Sequence, residues 1–415
     1  VARARAEQAP LPAGPHDFEF ELLGLVGLAD PVRPGVPAAI AECRRAGIRV
    51  AMVTGDYPAT AREIARRAGL PEPAQILTGE EIELLGDEDL ASRLKTTDVF
   101  ARVVPEEKLR LVEVLKRSGE IVAMTGDGVN DAPALKSSDI GIAMGERGTD
   151  VAREAADLVL VNDDFGSMVE AVRAGRRIFD NLRKATAFLL AVHVPIAGMA
   201  LLPVLLGWPL VFYPIHIVFL ELVIDPACSI AFEAEPEEED LMSRPPRPRG
   251  QRLFSRRLVT LSVLQGLGLL AVVFAAYALG LREENGAAHA RAMAFATLMV
   301  GIIGLILVNR SWSRPLKRSL SRGNPALWWV VGGAVATLLA TLFVSPVRRF
   351  FRFGTLGPAE LAVCFAAGLA SLAWFELYKR RRAHPAASTN ARMARAPSSG
   401  ESVPESESSG DSGRS

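Results

Sequence analysis

Asp127 and Asp131, set on one glycine turn in Met124-Thr-Gly-Asp-Gly-Val-Asn-Asp-Ala-Pro-Ala-Leu135, are the residues whose types and spacing point most directly to chemistry. The apolar run Ile121–Met124 reads as a short buried strand, and Gly126 and Gly128 allow a sharp turn after it. Asp127 then stands at the carboxyl end of a strand, where open α/β sheets hold their ligands. Asp131 comes four residues later, as the chain enters a helix near Ala132-Pro133, so that both carboxylates can converge on one hard cation. Asn130 between them can donate to a phosphoryl oxygen. The turn therefore reads as a Mg2+ and phosphate site; the plainer alternative is a surface turn whose Asp and Asn satisfy backbone groups.

The elements that must position this turn follow from the hydrophobic pattern. Apolar runs at Leu22–Leu28, Arg49–Val53, Val99–Phe100, Ile121–Met124, Ile140–Ala143 and Leu158–Val161 alternate with helical patterns at Val36–Ala46, Thr60–Ala68 and Glu106–Lys116. Such alternation predicts an α/β doubly wound parallel sheet with helices on both faces. Thr54, Gly55 and Asp56 directly follow one strand, where the Thr54 hydroxyl and backbone N–H groups can hold phosphoryl oxygens. Lys108 opens a helix and can neutralise transferred charge, or can be an ordinary solvated lysine.

These motifs together resemble the P-type cation-transporting ATPases, in the branch that carries calcium, magnesium, sodium or protons. Asp30-Pro-Val-Arg33, Met52-Val-Thr-Gly-Asp56, Phe100-Ala-Arg-Val-Val-Pro-Glu-Glu-Lys108 and Met124 to Leu135 stand in that family's order and spacing, and the resemblance runs from about Phe18 to about Arg382. It implies a phosphorylation domain of the haloacid dehalogenase-like fold, with ATP and Mg2+ as cofactors. It also implies that Thr54, Gly55, Lys108, Asn130 and Asp131 surround the phosphoryl group and that Asp127 is the principal magnesium ligand. Asp30, Arg33 and Asp56 match positions near the nucleotide or the hinge. The family acts through an aspartyl-phosphate formed in an Asp-Lys-Thr-Gly-Thr stretch, which this chain lacks. The strand that carries it, the nucleotide-binding and actuator domains and four membrane helices are expected before Val1, as a missing N-terminal partner. Thr78-Gly-Glu80 resembles the actuator's dephosphorylation motif but falls inside the phosphorylation domain, and no catalytic role is expected of it.

With 415 residues and 49% hydrophobic content, the chain has material for a soluble and a membrane domain, and its zero formal net charge gives no case for nucleic acid. Cys43, Cys228 and Cys364 match neither a disulfide framework nor a metal spacing. The expected organisation is a linker over 1–17, a phosphorylation domain over 18–164, a stalk helix over 165–185, a six-helix transmembrane domain over 186–382 and a disordered tail over 383–415.

Six apolar segments, near Thr186–Gly207, Val211–Phe232, Leu258–Leu281, Ala292–Val308, Ala326–Val344 and Glu360–Tyr378, are each about long enough to cross roughly 30 Å of hydrocarbon. They predict an integral protein of the plasma membrane, with the lipid bilayer as partner and with the phosphorylation domain and C-terminus cytosolic. Dense Arg and Lys at Arg244–Arg257, Arg310–Arg322 and Lys379–Arg382 agree with that orientation, whereas Arg348, Arg349 and Arg352 fall on the other side. Glu221 and Asp225 lie within a span, one helical turn apart, and ionisable residues at that depth mark an ion path by default. Pro226 frees the carbonyl of Leu222, and Pro195 frees that of Ala191 beside His193, so carboxylates and carbonyls are expected to converge on a transported cation. Alternatively, Glu221 is a hydrogen-bonded packing residue and His193 a core histidine. In calcium pumps the fifth helix offers an Asn and a Glu where this chain has His193 and Ile196, and the sixth offers Asn, Thr and Asp where it has Glu221, Ile224 and Asp225. Ca2+ is the first expectation for the cargo, with magnesium, manganese or a proton as alternatives. Phe165–Lys184 carries a helical pattern into the first span and so offers a route for coupling. Two other functions compete, a non-catalytic cation-binding membrane scaffold and a membrane-bound phosphatase of the same fold.

Overall fold

The computed structural model describes residues 1–4, 14, 16, 18–27, 30–71, 75–248, 250, 253–282, 286–312, 316, 320 and 323–381. Within Val1–Arg173 and Met242–Arg249 they form one compact unit, and within Ala174–Leu241 and Gly250–Ser415 a second. The tail expected to be disordered, and most of the expected linker, lie outside the described residues.

In chain order the first unit contains β1 (Ala2–Ala4), β2 (Phe20–Leu22), α1 (Val36–Arg45), β3 (Met52–Val53), α2 (Pro58–Arg67), β4 (Leu77–Thr78), α3 (Gly79–Leu84), α4 (Asp87–Leu94) and β5 (Val99–Ala101). It continues with α5 (Pro105–Arg117), β6 (Ala123–Gly126), a short 3-10 turn at Val129–Asp131, α6 (Ala132–Ser137), β7 (Ile140–Met144), α7 (Asp150–Ala155), β8 (Leu158–Leu160) and the start of α8 (Phe165–Leu205). Strand, helix and strand thus alternate as the sequence pattern predicts. The strands pair in two parallel sheets, in the orders β3-β5-β4 and β6-β7-β8. Several helix starts and ends have a local cause. Pro37, Pro58 and Pro105 occupy first-turn positions, where a missing N–H costs nothing. Past the end of α1, Gly47 takes φ +70, and a side chain there would also meet Pro246.

β5 shows how the first sheet buries both faces. Phe100 packs with Leu77, Ile82, Leu90 and Leu111, while Val99 and Ala101 pack with Ile40, Ala61 and Ala65 on the opposite side. That is the period-two alternation of a strand covered above and below.

Two of the predicted strands are corrected. In place of Leu22–Leu28, only Phe20–Leu22 forms a strand, and it pairs antiparallel with Ala2–Ala4 rather than joining the parallel sheet. Leu23, Leu25 and Val26 are exposed and Leu28 lies outside the described residues, so the run's hydrophobicity has no described core to enter. Ile121–Met124 shifts to Ala123–Gly126, with Ile121 exposed; among the described residues β6 is an edge strand paired with β7 alone, which leaves its start uncovered.

The second unit holds the rest of α8, then α9 (Pro214–Pro226) with a π-helical continuation to Phe232, α10 (Arg256–Arg282) and α11 (Gly286–Asn309), followed by helices Pro325–Phe343, Ser345–Phe350 and Pro358–Ala370. Among the described residues, six helices are long and apolar enough to cross a membrane: Phe165–Leu205, Pro214–Phe232, Arg256–Arg282, Gly286–Asn309, Pro325–Phe343 and Pro358–Arg381. α11 is the central one, with 89% of its apolar window buried against 28–39% in the other five. A helix apolar all round must be enclosed by protein or lipid; α11 is enclosed by protein.

Candidate functional site

The turn after β6 is closed by Asp131. This residue is 7% exposed, its Oδ1 accepts from Lys108 Nζ at 2.7 Å, and its Oδ2 faces the backbone N–H groups of Asp127 at 3.3 Å and Gly128 at 3.2 Å. Gly126 is required by this closure, since a Cβ there would stand 2.5 Å from the Asp131 Cβ. Gly128 is not: its φ is −96° and a Cβ would meet Asp131 only at 3.6 Å, so the sharp-turn role expected of it is corrected. Asp127 and Asn130 are exposed, and among the described residues no hydrogen bond or ion pair engages the Asp127 carboxylate.

The Thr54-Gly55-Asp56 loop joins this turn through the connection between β5 and α5. Thr54 N donates to Phe100 O at 2.9 Å, Val103 N to Thr54 O at 3.1 Å and Arg102 N to Asp56 O at 3.0 Å. Asp56 N also donates to Thr54 Oγ1 at 3.1 Å, and no atom lies within 4 Å of where a Gly55 Cβ would stand. α5 then begins at Pro105 and presents Lys108 to Asp131. Three motifs far apart in sequence are thereby linked at the carboxyl ends of their strands. The donor set fits one hard cation: Asp127 offers unengaged oxygens, and Asp131 keeps lone-pair capacity beside its three donors.

Arg33 serves a different place. Its guanidinium donates to the backbone carbonyl of Asp163, in the loop just before α8. Asp163 was not anticipated from the sequence. It is 3% exposed, has φ +49°, and its carboxylate accepts Glu146 N and Arg147 N at 3.0 Å each. Burial opposes its ionisation, yet the N–H groups of Glu146, Arg147 and Gly145, with the Arg33 charge, hold its carboxyl below the ordinary Asp range. Asp30 is exposed. Thr78, in the motif given no catalytic role, caps α3 by accepting Glu81 N while Glu81 accepts Thr78 N.

In the second unit, His193 and Glu221 are brought together, with Nε2 to Oε1 at 3.7 Å and His193 Nδ1 at 2.8 Å from Leu189 O. Glu221 and Asp225 line an open groove with Ile215, Val218, Phe219 and Leu222. The Ala191 carbonyl lies against Gly266 of α10, where an added Cβ would stand 2.5 Å from it, so the close approach of the two helices requires glycine there. Among the described residues, no three His, Cys, Asp or Glu side chains converge on a common metal position.

A buried polar network at the other end of the bundle was also missed. Arg310 pairs with Glu235 at 3.0 Å, Asn324 Nδ2 donates to Glu235 Oε2 at 2.8 Å, Lys184 pairs with Glu238 at 3.2 Å and Lys379 with Glu376 at 2.9 Å. The sequence signal was present, an acidic run after the second span opposite basic residues at the ends of others; pairing of this kind is what lets such charges be buried.

Comparison with known proteins agrees with both units. Residues 2–139 match the haloacid dehalogenase-like hydrolase family and residues 209–381 match the C-terminus of cation transporting ATPases. A calcium-transporting ATPase of Bacillus subtilis is 38% identical over 344 residues, 82% of this chain and 38% of its own length. One of Listeria monocytogenes is 41% identical over 383 residues, 89% of this chain and 42% of its own. A third, calcium-transporting ATPase 1 of Bacillus cereus, is 41% identical over 295 residues, 66% of this chain and 33% of its own. The chain thus spans about two fifths of the length of the curated relatives it matches. Fold and site define a haloacid dehalogenase-like domain joined to a membrane-helical domain. The chain belongs to the P-type cation-transporting ATPases.

Proposed function

We propose that this chain supplies the magnesium turn, the stalk helix and the cation path of an ATP-driven pump that forms and hydrolyses an aspartyl-phosphate. The observation that carries this is that the segment leading into α5 is hydrogen-bonded at Val103 to Thr54 and at Arg102 to Asp56, while Lys108 of α5 pairs with Asp131. It links a hydroxyl, a lysine charge and two carboxylates at the carboxyl ends of strands in the two sheets, the groups that phosphoryl transfer needs. Mg2+ would be held by Asp127, with Asp131 as second carboxylate, and would offset charge on the phosphoryl oxygens. Thr54 and the N–H of Gly55 bind those oxygens, Asn130 donates to one, and Asp131 orients the Lys108 ammonium toward the transferred charge. Asp56, Asp30 and Arg33 act at the nucleotide or the hinge, Arg33 by tying its segment to the loop before α8. The nucleophilic Asp comes from a part of the pump that this chain does not include.

The cargo is a cation held by Glu221 and Asp225 with His193, and the calcium-transporting relatives favour Ca2+. Phosphorylation tilts α8, one unbroken helix of 41 residues, and so reshapes the cation site. The protein is integral to the plasma membrane, with its phosphorylation domain and C-terminus cytosolic. ATP hydrolysis by the full-length pump across Ca2+, Mg2+, Mn2+ and a pH series tests the reading. Stimulation by Ca2+ is expected, and a rate indifferent to every cation overturns it.

A further inference from the structure

Helix Ser345–Phe350 leaves the fifth membrane helix after only Val344 and returns by Gly357 to the sixth. Its inner residues are anchored: Val347 packs on the bundle core, and Phe351 and Phe353 are buried. Its outer residues combine two chemistries. Phe343, Val344 and Phe350 are exposed, Phe350 at 67%, and beside them stand Arg348 and Arg349, with Arg352 one turn further. Among the described residues none of these three arginines pairs with a carboxylate. Glu360, the described acid at this end of the bundle, is already engaged by Gly357 N at 2.6 Å and by His289 Nε2 at 3.1 Å. Arg352 is held in place, its guanidinium 4.9 Å from the centre of the Tyr213 ring, on which Arg291 also rests at 4.8 Å. The result is a short helix with an apolar outer edge and, among the described residues, three positive charges that no carboxylate pairs, on the side where positive residues are disfavoured.

We propose that Arg348, Arg349 and Arg352 form a binding site for the phosphate of an anionic phospholipid in the adjoining leaflet, with Phe343, Val344 and Phe350 against its acyl chains. Guanidinium groups take phosphate oxygens in pairs, and the exposed rings supply the apolar surface that an acyl chain covers. The inference rests on the bundle lying in a bilayer. If the purified chain cannot be reconstituted into nanodiscs at all, it is that membrane reading which fails. Once it is reconstituted, the site is tested alone. The 415-residue chain is placed in nanodiscs of phosphatidylcholine doped with phosphatidylglycerol, and the lipid retained after mild detergent release is read by native mass spectrometry. Retention of phosphatidylglycerol over phosphatidylcholine is expected. Arg348→Gln with Arg349→Gln should weaken it about thirty-fold, the effect of two basic residues at a lipid surface. Arg62→Gln, on the exposed face of α2 in the first unit, should leave it unchanged. Should the double variant misfold, Arg349→Gln alone, on an exposed side chain, should still lower retention about five-fold. Equal retention of both lipids, an unchanged preference in the arginine variants, or full displacement by inorganic phosphate would overturn the proposal.

Discussion

The Asp127–Asp131 turn and the Glu221–Asp225 pair each set two carboxylates four residues apart, and the fold treats them in opposite ways. In the turn, Asp131 reaches back to two backbone N–H groups and across to Lys108, leaving Asp127 open. In α9, the backbone N–H groups are already spent on the helix, so neither acid has a local backbone donor, and among the described residues Glu221 meets His193 at 3.7 Å. A turn can prepare its own acid; a helix must borrow from a neighbour. The turn is therefore closed by contacts within this chain, whereas Glu221 and Asp225 line an open groove.

The comparison breaks first at the intramembrane pair. Glu221→Gln with Asp225→Asn should reduce ion-stimulated ATP hydrolysis of the full-length pump to its ion-free level. The same change should leave the thermal midpoint of this chain in nanodiscs unchanged or higher, because an ionised Asp at mid-span costs about 3 kcal/mol. Surviving ion stimulation would remove the pair from the transport path, and a collapsed fold would make it structural. Lys108→Met tests the opposite character of the turn. Stripping the partner from a mostly buried carboxylate should cost about 3 kcal/mol of local stability, read as faster hydrogen exchange at the amides of Asp127 and Gly128. The two glycines sharpen this further: Gly126→Ala should cost roughly 1–3 kcal/mol through overpacking on Asp131. Gly128→Ala should stay within about 0.5 kcal/mol. A reversed order would mean that Asp131 does not close the turn.

The smallest effect concerns pH. The Asp163 carboxyl titrates lower when folded than its ordinary value. Its contribution is therefore fully present above the unfolded value of about 4 and is lost as pH falls through the lower folded value. Asp163→Asn, which tolerates the positive φ, should lower stability at neutral pH, where the ionised carboxylate contributes fully, and flatten the acid limb of the stability curve below about pH 4. An unaltered acid limb would show that its N–H partners do not favour the ionised form.

How much was legible depended on how local each cause was. Val99–Phe100 and Ile140–Ala143 were readable because a strand enclosed by protein shows as an uninterrupted apolar run. α3 and α4, at six and eight residues, were missed because so few turns carry no periodicity to count. Leu22–Leu28 misled because hydrophobicity reports a wish to be buried, not the presence of a cover. Among the site residues, Asp127, Asp131 and Lys108 stood out by motif, but Asp163 did not, since its role comes from backbone donors two elements away.

The sequence by itself determined the order of the motifs, the chemical types of the donors and six stretches able to cross a bilayer, because those are properties of neighbours along the chain. Only the tertiary structure decided which oxygen is already taken: one Asp131 oxygen by Lys108, 23 residues away, and the other by the N–H groups of Asp127 and Gly128. A carboxylate or carbonyl is available to a ligand only when no nearer group has claimed its lone pairs, and that competition is settled by contacts between elements.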